Sequence, residues 1–254
     1  MLNPIQGEVF YLDKPLSWTS FDVVKRIRGK LHHRLGIKKL KVGHAGTLDP
    51  LATGVMVGCT GKATKRIEEL QKGEKEYVAT LQLGATTPSF DLEHEVDETF
   101  PTAHINAALI ADVLERFRGD IDQVPPAFSA CKIDGKRAYD LARKGKDVEL
   151  KAKRITIHEL ELRDFNATTM TLQLRIRCSK GTYIRALARD IGHALQSGAH
   201  LTALRRTKVG DFNVENAFPD IETFGKWLDA HTARQADNLP CSTTGAPHIQ
   251  EEKS

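Results

Sequence analysis

The sequence predicts an α+β fold: a mixed, largely antiparallel central sheet flanked by helices. Three observations carry this. Residues Tyr77 to Leu83 read Tyr-Val-Ala-Thr-Leu-Gln-Leu, the period-two alternation of a half-buried strand. Arg154 to Arg163 and Thr169 to Cys178 are consecutive strand-like runs that pair as a hairpin. Tyr183 to Gln196 sets Ile184, Leu187, Ile191 and Leu195 on one apolar stripe at helical spacing. Strand and helix patterns are mixed without strict alternation, which favours α+β over a parallel α/β arrangement.

The other elements follow in order. Glu8 to Asp13 reads as a short strand closed by Lys14-Pro15. Thr19 or Ser20 then caps a helix with Phe21, Val24 and Ile27 on one side, ending before Leu35-Gly36. Val55 to Cys59 reads as a buried strand, and Thr86 to Asp91 as a loop. Thr102 caps a helix from Ile105 to Phe117, stopped by Gly119. Pro125-Pro126 breaks the chain, Phe128 to Ile133 is extended, and Lys136 to Lys144 is a short helix ended by Gly145. Gly198 ends the Tyr183 helix. Leu201 to Lys208 and Val209 to Val214 are expected strands, and Ile221 to Ala230 a last helix.

At 254 residues the chain can bury one substantial core or two modest ones. Residues 1–231 are expected to form the folded domain. Residues 232–254 lack apolar periodicity and are expected to be a flexible tail. No apolar run approaches the roughly 18 residues of a membrane helix, and the N-terminus lacks the basic flank and apolar core of a secretion signal. Cys59, Cys131, Cys178 and Cys241 stand alone, without the Cys-x-x-Cys pairs of zinc or redox centres. Isolated cysteines of this kind act as small buried hydrophobes and suit the reducing cytoplasm, where the chain is expected.

A formal net charge of +4 is mild, and its distribution is more informative. Basic residues gather at Lys38-Lys39-Leu40-Lys41, at Lys62, Lys65 and Arg66, at 143–146, at Lys151, Lys153 and Arg154, and at Arg205, Arg206 and Lys208. Any one cluster is ordinarily a solvated face. Several of them flanking one loop fit the footprint of a polyanion.

That loop runs Gly43-His44-Ala45-Gly46-Thr47-Leu48-Asp49-Pro50-Leu51-Ala52-Thr53-Gly54. Three glycines and a proline in twelve residues cannot continue a helix or a central strand. Leu48, Leu51 and Val55 nevertheless give it apolar anchors. Such a loop can press its backbone on a ligand and hold one acidic side chain, Asp49, in a fixed pose. The plainer alternative is a tight surface loop whose Asp bonds local amides.

The stretch resembles the catalytic-loop motif of the TruB family of pseudouridine synthases, G-H-x-G-T-L-D-P-x-A-x-G, followed here by Gly61-Lys62-Ala63-Thr64-Lys65. Further blocks recur in the family's order: Leu12-Asp13-Lys14-Pro15 with Thr19-Ser20, Lys75-Glu76-Tyr77, Ser129-Ala130 with Lys132, and Ser179-Lys180-Gly181-Thr182-Tyr183-Ile184-Arg185. Gly198-Ala199-His200 with Leu204-Arg205-Arg206 closes the set. The resemblance implies the pseudouridine synthase fold, one sheet through two subdomains with the active cleft across its middle. Many bacterial relatives carry a C-terminal PUA module; the residues after Asn213 are too few for one, so none is expected here.

The resemblance also implies a chemistry: the bond between uridine N1 and ribose C1′ breaks, the base turns, and C5 rejoins C1′. This is a net isomerisation, so no cofactor and no metal is expected. Asp49 is implied as the catalytic carboxylate. A neighbouring cation keeps such a group ionised, commonly lowering its pKa by about 1 to 3 units. Arg185 is the candidate, with a fork able to take a carboxylate in two hydrogen bonds. Tyr77 is implied to stack on the flipped base, a contact worth about 1 to 3 kcal/mol, with its hydroxyl a candidate for the C5 proton. Tyr183 and Leu204 would line the pocket, Lys180 would serve the uracil edge or a phosphate, His44 would meet the displaced RNA loop, and Lys14 would contact substrate. The 87–91 loop departs from the family's T-D-T-x-D-x-x-G, with Pro88 and His94 at two motif positions; Asp91 keeps the last acidic place and a supporting role.

The implied partner is tRNA, read through its T stem-loop at position 55, by a monomeric chain that touches no membrane. Two rivals stand beside this. Related enzymes act on ribosomal RNA with guide RNA, but carry a PUA module and long basic tails. A tRNA-folding chaperone would instead bind and remodel the T loop, with isomerisation incidental.

Overall fold

The computed structural model describes residues 3–37, 39–129, 132–133, 136–137 and 150–236. Its main sheet holds β1 (Val9–Lys14), β2 (Val42–His44), β3 (Ala52–Thr60) and β4 (Lys75–Leu83) from the first part of the chain. Two short pairs lie apart, β5 (Ala85–Thr86) with β6 (Glu98–Thr99), and β8 (Lys132–Ile133) with β9 (Lys136–Arg137). The main sheet is completed by β7 (Gly119–Gln123), β10 (Lys153–Asn166), β11 (Thr171–Cys178), β12 (Ala199–Val209) and β13 (Phe212–Asn213). Strand order is β1-β3-β12-β4-β11-β10-β7, with β2 added to β3 and β13 to β12. Every pairing is antiparallel except β12 on β3, the α+β arrangement that the sequence predicts.

The helices are α1 (Ser20–Leu35), α2 (Ile67–Leu70), α3 (Ala107–Glu115), α4 (Ile184–Ala194) and α5 (Ile221–Ala236). Thr19 starts α1 through a capping box with Asp22, each side chain accepting from the other's backbone N–H at 3.0 Å, and Gly36 ends it in the left-handed region. Four expectations are corrected. Asn106, not Thr102, caps α3 by accepting from Leu109 N–H. Gln196, at φ 53, makes the left-handed exit from α4; Gly198 is small because a Cβ there would meet the Phe100 ring at 2.6 Å. Leu201 to Lys208 is one continuous strand with Val209, and the chain turns at Gly210 before β13. The last helix runs on to Ala236, so residues 232–236, expected as tail, are helical. The expected helix over 136–144 lies mostly outside the described residues, within which Lys136–Arg137 is a strand.

Two apolar cores fill the ends of the sheet. Ile110, Val113, Leu187 and Ile191 of α3 and α4 pack on Leu81, Ile157, Leu172 and Leu174. Val23, Ile27 and Leu31 of α1 meet Phe224 and Leu228 of α5 over Phe10, Leu12 and Met56. The glycine-rich segment runs between them: Leu48 and Ala52 belong to the first core, while Ala45 and Val55 join Val57 and Val209 in a third cluster. Its position at the middle of the sheet follows from this double anchoring. Among the described residues no helix is long and apolar enough to cross a membrane.

Candidate active site

The glycine-rich segment is fixed at nearly every residue. Ser20, the first residue of α1, accepts from Leu48 N–H at 2.8 Å and donates to Leu48 O at 3.0 Å. Ser17 N–H and the Lys14 ammonium both donate to Pro50 O, at 2.9 and 3.2 Å. Asp49 O accepts from Ala52 N–H, closing the turn. From the opposite side Arg206 donates to Gly46 O at 3.1 Å, to Thr47 O at 3.4 Å and to Val55 O at 2.9 Å. Gly54, at φ 107, lets the strand approach Arg206, since a Cβ there would sit 2.1 Å from Arg206 O.

Within this frame the Asp49 side chain is part-exposed, at 41%, and faces a cleft. Arg185, in the first turn of α4, donates from Nε to Asp49 Oδ2 at 2.9 Å. The two-bond fork expected of this pair does not form. Nη1 donates to Ser89 O and Nη2 to Phe128 O, because the buried guanidinium also carries the loops around it. Asp91 stands behind it, 3.6 Å from Nε, and accepts from Glu93 N–H. The substituted 87–91 loop therefore still delivers its carboxylate to the Asp49–Arg185 pair.

The cleft measures about 480 Å3, and the expected residues Asp49, Tyr77, Lys180, Tyr183, Arg185 and Leu204 all line it. Tyr77 and Leu204 come from adjacent strands β4 and β12. Tyr183 caps α4 and is held by buried Gln123, which accepts from its N–H and donates to its C=O. Burial pushes the Tyr77 phenol above its ordinary range, opposed by the nearby charge of Arg206.

Two expectations place differently. Lys14 is fully buried and makes no part of the cleft wall. Its ammonium donates to Pro15 O, Trp18 O and Pro50 O, so it shapes the loop rather than touching substrate, and burial lowers it to about 8. His44 ends β2 outside the cleft wall; its Nδ1 is buried without a hydrogen bond, and burial lowers its pKa.

Sequence reasoning placed Arg206 in a surface cluster, whereas it is 1% exposed and forms the cleft floor. It lies within the expected strand Leu201–Lys208, but its place opposite Tyr77 and Gly54 comes from strand pairings that the sequence does not show. Lys75 was passed over as well. It shares the buried face of β4 with Tyr77, donates to Gln71 O and Gly73 O, and is lowered by burial to about 8. Arg205 pairs with Asp13 at 2.5 Å and Arg66 with Glu69 at 3.2 Å, so those clusters are partly neutralised. The 143–146 cluster and Lys38 lie outside the described residues. Among the described residues no three His, Cys, Asp or Glu side chains gather as a metal site.

Comparison with known proteins places these residues in context. Residues 32–184 match the TruB family pseudouridylate synthase N-terminal domain, and residues 185–238 the tRNA pseudouridylate synthase B C-terminal domain. The chain is 63% identical over 237 residues to tRNA pseudouridine synthase B of Phocaeicola vulgatus, covering 93% of this chain and all of that one. It is 53% identical over 225 residues to the same-named protein of Flavobacterium johnsoniae, covering 88% and 97%. Among solved structures it resembles a chain of a Cbf5-Nop10-Gar1 complex, with a TM-score of 0.66 at 27% identity, over 93% of this chain and 57% of that one. Two contiguous domain matches spanning most of the chain, and identity above half along whole relatives, settle descent: the chain belongs to the TruB family of pseudouridylate synthases.

Proposed function

We propose that this chain isomerises uridine to pseudouridine at position 55 in the T loop of tRNA, as a monomer in the cytoplasm. The observation that carries the reading is one part-exposed carboxylate, Asp49, held by a buried arginine in a cleft that Tyr77 and Tyr183 also line. At about 480 Å3 the cleft falls within the roughly 300–1,000 Å3 of small-ligand sites, room for one extruded nucleoside. The names of the relatives support tRNA as the substrate. A related complex has been solved with a substrate RNA containing 2′-deoxyuridine, which supports RNA entering this kind of site.

The target base leaves its stack, at a cost of about a few kcal/mol, and enters the cleft against Tyr77. Asp49 stands at the sugar–base junction where the C1′–N1 bond breaks. Tyr183 and Leu204 confine the detached ring while it turns to present C5, and Lys180 at the rim meets its edge or a phosphate. The C5–C1′ bond then forms, one proton leaves C5 and one arrives at N1. Arg185 keeps the Asp49 oxygens aimed throughout, and Asp91 steadies Arg185.

A chaperone that only remodels the T loop would not need a carboxylate so held. The test compares Asp49→Asn with the native chain on a T-loop transcript. Chemical mapping should find pseudouridine at one T-loop position with the native protein and none with the variant, while RNA affinity stays within a few fold. Activity surviving in Asp49→Asn, or product elsewhere, would sink the reading.

A further inference from the structure

The two carbonyls that Arg185 holds, Ser89 O at 3.0 Å and Phe128 O at 2.8 Å, set the line along which its Nε meets Asp49. They are not equally well fixed. Ser89 sits in a braced loop, where Thr87 Oγ1 donates to Asp91 O at 2.7 Å and Leu201 N–H of β12 donates to Phe90 O at 2.9 Å. The Phe90 ring also lies under the Arg189 guanidinium, 5.2 Å from its centroid. Phe128 stands beyond the end of β7 and past Pro125-Pro126. Arg189 donates to Val124 O at 3.0 Å, which holds only the start of that stretch. Near Arg185 the two segments are joined by a ring pair: His94 packs on Phe128 with centroids 4.8 Å apart and planes at 43°. The His94 Nδ1 is buried and makes no hydrogen bond among the described residues, so the imidazole acts here through its face. Glycine, which the family motif has at this position, offers no ring.

We propose that His94 is a positioning residue for the reaction: by clasping Phe128 it fixes the Phe128 carbonyl, and with it the direction from which Arg185 holds Asp49. This rests on the uridine isomerase reading above. His94 lines no part of the cleft and acts through Arg185. When the clasp opens, Phe128 O drifts, and Nη2 must follow it or lose a buried acceptor. The guanidinium is planar, so a turn at Nη2 moves Nε as well. The Asp49 oxygens move with Nε, and a misplacement of about 1 Å can cost about a hundredfold in rate. Substrate binding spreads over the rest of the cleft and does not depend on this angle.

The test measures single-turnover rates at saturating T-loop RNA, beside RNA affinity, for the native chain and for His94→Ala, His94→Asn, His94→Phe, Phe128→Leu and the His94→Ala/Phe128→Leu double variant. His94→Ala should slow the reaction by about threefold to tenfold, the loss that one aromatic pair supports, with affinity little changed. His94→Asn, polar but without a ring, should be as slow as alanine. His94→Phe should restore the native rate, because the buried Nδ1 has no bond to lose. The double variant should be no slower than the slower single one, since both remove the same contact. Native rates in His94→Ala, or no recovery in His94→Phe, would overturn the proposal. Equal losses of rate and affinity in His94→Ala would overturn it too, marking His94 as an RNA contact. Should Phe128→Leu fail to fold, the three His94 variants decide alone. Absence of pseudouridine with the native chain would instead remove the isomerase reading.

Discussion

Arg185 reaches Asp49 through a single nitrogen, Nε to Oδ2 at 2.9 Å, while its two terminal nitrogens hold the carbonyls of Ser89 and Phe128. One planar group therefore joins the Asp49 carboxylate to two separate loops. Lysine can place a charge near Asp49 but cannot direct donors along three fixed lines. Arg185→Lys should lower turnover by about a hundredfold or more, with RNA binding changed far less. Steady-state turnover beside filter-binding affinity checks this; equal losses in both would mark Arg185 as a phosphate contact instead.

Ser20 occupies both hydrogen-bonding groups of Leu48, the residue before Asp49. It is 2% exposed, so water cannot take its place in an alanine variant. Ser20→Ala orphans a buried N–H and a buried C=O, which should cost about 1–3 kcal/mol of stability. The freed Leu48 also loosens the Asp49 pose, so turnover should fall while RNA affinity holds. Urea unfolding and single-turnover kinetics read the two effects. A variant as stable and as fast as the native chain would show that the serine clip is dispensable.

What was legible in the sequence divides along physical lines. The β4 strand and the α4 stripe were readable because a one-sided core imposes a period on the chain, and both elements are one-sided. Asp49 with Arg185 was readable through motif resemblance, although the single-nitrogen geometry was not, since it depends on where the Ser89 and Phe128 carbonyls fall. The strand Gly119–Gln123 was missed because Gly-Asp-Ile-Asp-Gln offers one apolar residue at a sheet edge, where pairing to β10 rather than burial makes the strand. Lys14 was expected at the substrate, Arg206 in a basic cluster, and Lys75 was given no role. All three are buried with their donors on backbone carbonyls that only the fold brings together.

Gly58 faces Phe10 across β3 and β1, and a Cβ there would lie 2.1 Å from the ring. The ring in turn packs against Phe224 of α5 at 5.1 Å between centroids. Gly58→Ala must push the ring off this contact, an overpacking cost of about 1–3 kcal/mol. Phe10→Leu removes the colliding edge, so the double variant should lose less than the sum of the two single losses. Denaturant unfolding of the four proteins measures the coupling, and strict additivity would mean that the collision is relieved some other way.

Lys14 and Lys75 set the dependence of stability on pH just above neutrality. Burial holds both at about 8 in the folded chain, whereas unfolded lysine keeps its proton to about 10.4. Above pH 8 the unfolded state therefore binds more protons than the folded one, and unfolding free energy rises with pH. The slope is at most about 1.4 kcal/mol per pH unit for each lysine. Cys59 and Cys178 act in the reverse sense: burial pushes both thiols from 9.0 to about 11, so the unfolded state releases its thiol protons first and stability falls above pH 9. The urea midpoint should thus climb between pH 8 and 9 and flatten beyond. Lys75→Met should lose part of that climb, and Cys59→Ala should extend it. A midpoint falling steadily from pH 7.5 to 9 would show that neither lysine titrates in this window.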